Sequence, residues 1–532
     1  MLLCHVRKRF IVKTKITRIV LMMLTMLVLA LVIAPSPVMA ASITSTGTGG
    51  NWGDTTTWQG GTIPTASDDV TIAAGATVVV NTTATARSIS LAGGGNTTTV
   101  SISGTNSVMI GAGGLVINPA GDNKQANLFS VGAGNLVIQG NLAINGGNGK
   151  RYGAFSIGTG TVTVSGDVSC AQDCNQAQIS FAGTGTLTMG GNWNFDGELN
   201  PGTGTIVFDK MGAQTISPQT HNNSSQAYNN LVLSGSGVKT LSGNVTINGT
   251  LSLQGTATMA NGGFTLAYGT SAALEYKGSA AQTTGTEFPV TWVGTGGVVV
   301  NNSNGVGLNA SRTINTSLAL VAGDLTTNAY TLTMGLNATT TGMYDVVGVT
   351  CRNAFGGSSD NTYGSAFTII SGFAANPTAM CVQMLKQTPA YTGLYQIVAR
   401  NYVLTMTGGS ATNATVQLHY RDSADTAGAG CGANCPTTVT SLKTWRWDTA
   451  SSRWILQAGS NTVNGNASYI SMTGVSSFSI FGIAQNNSTT AVKLSKFEAR
   501  STDFEASFVF ALIGMIGMVV LGGIRLISVR RR

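Results

Sequence analysis

Charge is what this sequence most lacks: Asp, Glu, Lys and Arg make up 9% of its 532 residues. Proline is scarce at 10 residues and histidine at 3. Disordered chains run on high charge or abundant proline, so the shortage of both excludes that class. Glycine is plentiful at 70 residues but keeps no strict triplet register, which excludes collagen. What remains is a glycine-punctuated chain rich in threonine and valine, a composition that reads as all-β.

The formal net charge of +8 is concentrated at the two ends. Arg7, Lys8, Arg9, Lys13, Lys15 and Arg18 precede the first apolar run, and Arg525, Arg530, Arg531 and Arg532 close the chain. Without those ten, 18 basic residues face 20 acidic ones. No basic groove for nucleic acid is expected.

Both ends point to a membrane. The run Ile19 to Ile33 is apolar except for Thr25, and "PSPVMA" follows, with Val38 and Ala40 as the small residues a signal peptidase requires. Residues 1–40 read as a secretory signal peptide cut between Ala40 and Ala41. No cysteine follows the apolar run, so a lipoprotein is not expected. Near the other end, Ala506 to Ile524 is an uncharged stretch. As a helix it would span ~28 Å, about one bilayer core, and the arginines behind it favour a cytoplasmic tail. The expected protein is therefore anchored by residues 506–524, with a tail at 525–532, a linker at 487–505 and its bulk outside the cell.

Cysteine use agrees with export. Beyond Cys4 there are Cys170, Cys174, Cys351, Cys381, Cys431 and Cys435, an even number that suggests disulfides. Cys170–Cys174 and Cys431–Cys435 are close enough for local loops, which would leave Cys351 with Cys381. A zinc site would want histidines nearby, but His221 and His419 lie near neither C-x-x-x-C pair.

A phrase recurs between residues 132 and 247. "GAGNLVIQGNLAI", "GTGTVTVSGDVSC", "GTGTLTMGGNWNF" and "GSGVKTLSGNVTI" begin at Gly132, Gly158, Gly183 and Gly235, and a partial copy begins at Gly202. Each full copy has a Gly-Asn or Gly-Asp pivot, followed by apolar residues at alternate positions such as Leu142/Ile144 and Trp193/Phe195. Period two places these on one strand face, and the pivot suggests a bend at residues that tolerate left-handed angles. A unit of about 25 residues cannot bury its own apolar face and must stack on the next. The economical architecture over 41–340 is a parallel β-helix with Asn141, Asp167 and Asn192 in a ladder at one corner. Tandem β-sandwiches are the alternative. Lys239 breaks the pattern, standing where other copies have Leu136, Val162 or Leu187. A transmembrane barrel would want aromatic girdles and no C-terminal helix.

"YNNLVLSGSGVKTLSGNVTINGTLSLQG" and "LALVAGDLTTNAYTLTMG" resemble the bacterial and archaeal surface proteins with adhesin-like β-helical repeats. "NWGDTTTWQGGTIPTASDDVTIAAGATVVVN", from Asn51 to Asn81, resembles the G8-like modules that open such helices. The apolar segment with its basic end is similar to prokaryotic C-terminal sorting signals, although "LPxTG" is lacking and "STDFEAS" stands in its place. These resemblances imply a fold and a surface location, and no single reaction.

From about Tyr344 the texture changes to longer strands, and 341–486 reads as a β-sandwich. Trp445, Trp447 and Trp454 are expected to pair across the turn at "DTASS", with a role in core packing ahead of one in contacting sugar rings. Acidic residues in the repeat region are few, and the best constellation is Asp173, Asp196 and Glu198, whose carboxylates could meet on adjacent coils or bind calcium. No EF-hand, Walker or nucleophile-elbow motif occurs. The expected function is surface display without catalysis or a resident cofactor, through binding to cells, glycans, surface proteins or other copies. A surface lyase or glycosidase on the β-helix is the alternative.

Overall fold

The computed structural model describes residues 40–121, 125–149, 151–216, 226–355, 361–427 and 431–487. The expected signal peptide, apart from Ala40, and the expected membrane segment and tail lie outside them. No helix among the described residues is long and apolar enough to cross a membrane. The fold is all-β, with 52% of residues in strands, and its first part is a parallel β-solenoid of about 12 turns. Tandem sandwiches are excluded for this part, because its strands pair in parallel with strands one coil away.

Each coil in the repeat region contributes three short strands, one to each face. Ala126–Val131, Asn135–Ile138 and Leu142–Ile144 make one coil; Arg151–Ile157, Thr161–Val164 and Val168–Ser169 make the next. Gln178–Phe181, Thr186–Met189 and Trp193–Asn194 follow. On the second face Leu136, Val162, Leu187 and Ile206 stack as successive register partners. All four are buried, and the threonines alternating with them at 161, 163, 186 and 188 point outward. Strict alternation thus puts one residue column in the bore and its neighbour in water. A single apolar cluster runs without a break from Ile43 to Val346.

The glycine phrase is explained by contact between coils. A Cβ on Gly158 would lie 2.5 Å from the carbonyl oxygen of Gly132, and one on Gly185 2.6 Å from that of Gly158. At the pivot, a Cβ on Gly166 would lie 2.6 Å from the Gly140 carbonyl oxygen. None of Gly140, Gly166 and Gly191 has a positive φ, so the expected left-handed bend is not the reason for them. Glycine is needed because successive backbones meet there. The ladder does form: Asp167 N–H donates to Asn141 Oδ1 at 2.9 Å, and Asn192 N–H to Asp167 Oδ1 at 2.7 Å.

The fourth copy is displaced by one strand. Its first strand, Val238–Leu241, stacks on Gln214–Ile216, in the column that holds the post-pivot strands of earlier copies. Its post-pivot strand, Val245–Ile247, begins the next coil beside Gln226–Tyr228. Lys239 consequently stands between Gln214 and Met259 inside the bore, fully buried. Its Nζ donates to Lys210 O at 2.6 Å, Gln214 Oε1 at 3.0 Å and Gly212 O at 3.4 Å.

The solenoid continues directly into the second module. Leu325–Met334 pairs in parallel with Val346–Arg352, which pairs antiparallel with Ala379–Leu385. Leu394–Thr407, Ile480–Asn487, Lys443–Asp448 and Arg453–Leu456 extend this sheet. A second antiparallel sheet contains Ile369–Ser371, Ala414–Tyr420, Ser468–Val475 and Ser460–Thr462. Met380, Val382 and Leu404 of the first sheet share one core with Val416, Leu418, Ile470 and Met472 of the second. All three disulfides pair as anticipated: Cys170–Cys174, Cys351–Cys381 and Cys431–Cys435. The Cys351–Cys381 bridge joins register partners on neighbouring strands at the junction.

Candidate functional site

Asp173, Asp196 and Glu198 come from one corner of two successive coils, between the strands that end at Ser169 and Asn194 and those that begin at Gln178 and Glu198. Asp173 adopts a left-handed φ of 40° at the start of a single turn of 3-10 helix. Asp196 lies beside the Cys170 and Cys174 sulfurs, with all three ligand atoms within 4.8 Å of one another. Those sulfurs are joined in a disulfide and offer no thiolate to a metal. Glu198 accepts a hydrogen bond from Gln178 Nε2 at 3.2 Å. All three carboxylates are exposed, and among the described residues no hydrogen bond joins any two of them.

A second acidic site has no repeat or motif to mark it in the sequence. Glu287 is buried, and its Oε1 accepts from the Tyr276 hydroxyl at 2.7 Å and the Gly285 N–H at 2.6 Å. It borders a cavity of about 250 Å³ that also reaches Gln282 and Met259. Arg312, one coil on, donates to Asn309 Oδ1 at 2.8 Å and Gly285 O at 3.3 Å. Glycoside hydrolysis takes two carboxylates, and among the described residues Glu287 is the cavity's sole acidic lining residue. Burial and the neighbouring Glu287 carboxylate push the Tyr276 phenol well above its ordinary pKa, so it keeps its proton and is no ready base.

At the junction, Asp345, His419 and Ser365 have the composition of a hydrolase triad. The geometry does not suit that reaction. Asp345 Oδ1 lies 2.7 Å from His419 Nδ1, and Ser365 Oγ lies 3.0 Å from the same nitrogen. A relay needs acid and nucleophile on opposite ring nitrogens, and here Nε2 lies 2.7 Å from the Asn466 carbonyl oxygen. Arg400 completes the cluster, with Nη2 2.6 Å from Asp345 Oδ2 and Nε 2.6 Å from Asp425 Oδ2. Burial alone would raise the Asp345 pKa; Arg400 and His419 outweigh it and hold the carboxyl well below its ordinary range. Every member is buried, so the network fastens the solenoid's last strand to the second sheet and presents nothing to a substrate.

The tryptophans form a packed step. Trp447 and Trp454 are register partners with rings 5.4 Å apart at 70°, and Trp445 donates from Nε1 to Ala484 O at 3.2 Å. They are 7%, 9% and 6% exposed at Trp445, Trp447 and Trp454, so packing is their main role. Above them Tyr391 lies flat on Trp447, with centroids 4.1 Å apart and an interplanar angle of 13°. Tyr391 and Tyr395 are 40% and 47% exposed and line a cleft of about 530 Å³. Thr388, Thr392 and Asn434 supply polar groups, and the cleft abuts the Cys431–Cys435 loop. In the sequence the cleft's loop is "TPAYTGLYQIV", two tyrosines among turn residues, which by themselves do not separate a cleft from an ordinary loop.

No protein-family model, no curated protein and no solved structure significantly matches this chain.

Proposed function

We propose that this is a membrane-anchored cell-surface protein that displays a stiff β-helical rod and binds cells, glycans or further copies of itself. The observation that carries this reading is the unbroken core from Ile43 to Val346 within about 12 turns. At the ~4.8 Å spacing of paired strands such a stack is roughly 58 Å long. It cannot bend without opening its bore, which suits a stiff rod that carries its own exposed faces away from a membrane. Three disulfides suit the oxidising exterior. The export signal and C-terminal anchor enter on the residue patterns of the two ends, and the prokaryotic source and G8-like opening on the resemblances of the sequence.

A polysaccharide-cleaving enzyme is the second reading, favoured by the buried Glu287 beside its cavity. One experiment separates them. The full chain, in a detergent without a sugar headgroup, is incubated with immobilised polysaccharides and with cells, scoring retention and released oligosaccharide. Retention without release is the expected result. Release abolished by Asp196→Ala with Glu198→Ala, or by Glu287→Gln, overturns the display reading.

A further inference from the structure

We propose that the cleft over the tryptophan step is a binding site for an uncharged oligosaccharide; this rests on the display reading and names its ligand class. Three independent features of the cleft point to sugar.

The first is the platform. Trp447 covers one face of Tyr391, and its 40% exposure leaves the other face to water. A flat ring held against a second ring offers an apolar, electron-rich plane at little entropic cost. The axial C–H groups of a pyranose form the complementary surface. Tyr395, 47% exposed at the same cleft, can meet a second ring along the chain.

The second is the polarity of the walls. Among the described residues the lining holds hydroxyl, amide and backbone groups from Thr388, Thr392 and Asn434, and no Asp, Glu, Lys, Arg or His. Such groups donate and accept equally well, as sugar hydroxyls require, but cannot neutralise a carboxylate or sulfate. A neutral glycan fits and an acidic one does not. The volume of about 530 Å³ lies in the ordinary range for small-molecule sites.

The third is preorganisation. Trp454 Nε1 donates to Thr392 O at 3.1 Å, which pins the loop carrying Tyr391. Gln396, next to Tyr395, has a φ of 54°, and its Nε2 donates to Thr437 Oγ1 at 3.1 Å. A non-glycine residue in the left-handed region costs about 1–3 kcal/mol and persists where its surroundings impose it, often at ligand clamps.

The test titrates the full chain, in a detergent without a sugar headgroup, with cellohexaose, chitohexaose, mannohexaose and a hexasaccharide of galacturonic acid. Tryptophan emission and calorimetry report binding. We expect at least one neutral hexasaccharide to bind with a Kd below roughly 1 mM. Tyr391→Ala should weaken it about tenfold and Tyr391→Phe hardly at all, since the ring is the platform. Near-UV circular dichroism verifies that the variants keep the packed step. Binding of the acidic hexasaccharide alone, absence of binding, or unchanged binding in both Tyr391→Ala and Tyr395→Ala overturns the proposal. If Tyr391→Ala is still retained on cells or polysaccharides, the cleft assignment fails while display stands; if the wild type is retained on nothing, both fail.

Discussion

Lys239 gives the sharpest test of the bore. Burial lowers its pKa to about 8, with Asp209 acting the other way. In the unfolded chain a lysine titrates near ~10.4. Between these values the unfolded chain binds more protons than the folded one, so stability rises with pH through this window. From pH 7 to pH 10 the gain attributable to Lys239 is about 2.5 kcal/mol by linkage. Other groups also titrate, and the buried phenols of Tyr228 and Tyr276 work in the opposite direction at higher pH. The measurement is therefore a difference between wild type and Lys239→Met, chosen because Met259 occupies the same position one coil on. Urea unfolding followed by tryptophan fluorescence at pH 7, 8, 9 and 10 should show the wild type gaining on the variant by that amount. Parallel pH profiles would refute the reasoning. They would mean that Lys210 O, Gly212 O and Gln214 Oε1 solvate the ammonium as well as water does.

Three further outcomes are expected. Asp345→Asn leaves buried Arg400 with Asp425 alone and should destabilise the second module by about 3–5 kcal/mol. The folded pKa of Asp345 is depressed, so its contribution is present above the unfolded value of ~3.9 and lost as pH falls below it. Acid titration of tryptophan fluorescence should show that loss in the wild type and a flatter curve in the variant. Gly166→Ala should cost about 1–3 kcal/mol in thermal melts, because its Cβ would sit 2.6 Å from the Gly140 carbonyl oxygen; an unchanged melt would mean that the coils part freely. Terminal sequencing of exported protein should read Ala-Ser-Ile-Thr from Ala41. The released ammonium would then face Asp68 Oδ1, which now accepts from Ala41 N–H at 3.2 Å, and Asp68→Asn should lower the melting temperature of cut protein more than of uncut.

The solenoid was legible because its information is local. Leu136, Val162 and Leu187 announce a bore column through period-two alternation inside a repeat of about 25 residues. The pivot glycines stand out in the sequence, but a close approach between coils leaves no mark there that separates it from a turn. Lys239 marks itself by breaking the repeat's apolar column. Only the pairing of Val238–Leu241 with Gln214–Ile216 reveals that the phrase had slipped by one face. The second module hid its main polar feature for a different reason. Asp345 reaches Arg400 across 55 residues and His419 across 74, and no periodicity links positions so far apart. The tryptophans drew notice by rarity, whereas Tyr391 acquires meaning only once Trp447 is beneath it.

How the rod ends narrows where binding can occur. A solenoid's last coil presents a row of unpaired backbone groups, a ready template for another chain. On one face Val346–Arg352 covers that row and is itself covered by Ala379–Leu385, with the Cys351–Cys381 bridge across the pair. Addition of a further copy to this edge would have to displace both strands. On that face recognition would have to use side chains; on another, Thr339–Gly342 is the terminal strand, where Thr340 N–H donates to Thr362 Oγ1 at 3.0 Å. The solenoid faces offer outward threonines, as at 161, 163, 186 and 188, which repeat with little shape. The cleft at Tyr391 and Tyr395 has volume, a fixed plane and no charge, the attributes that distinguish one uncharged ligand from another.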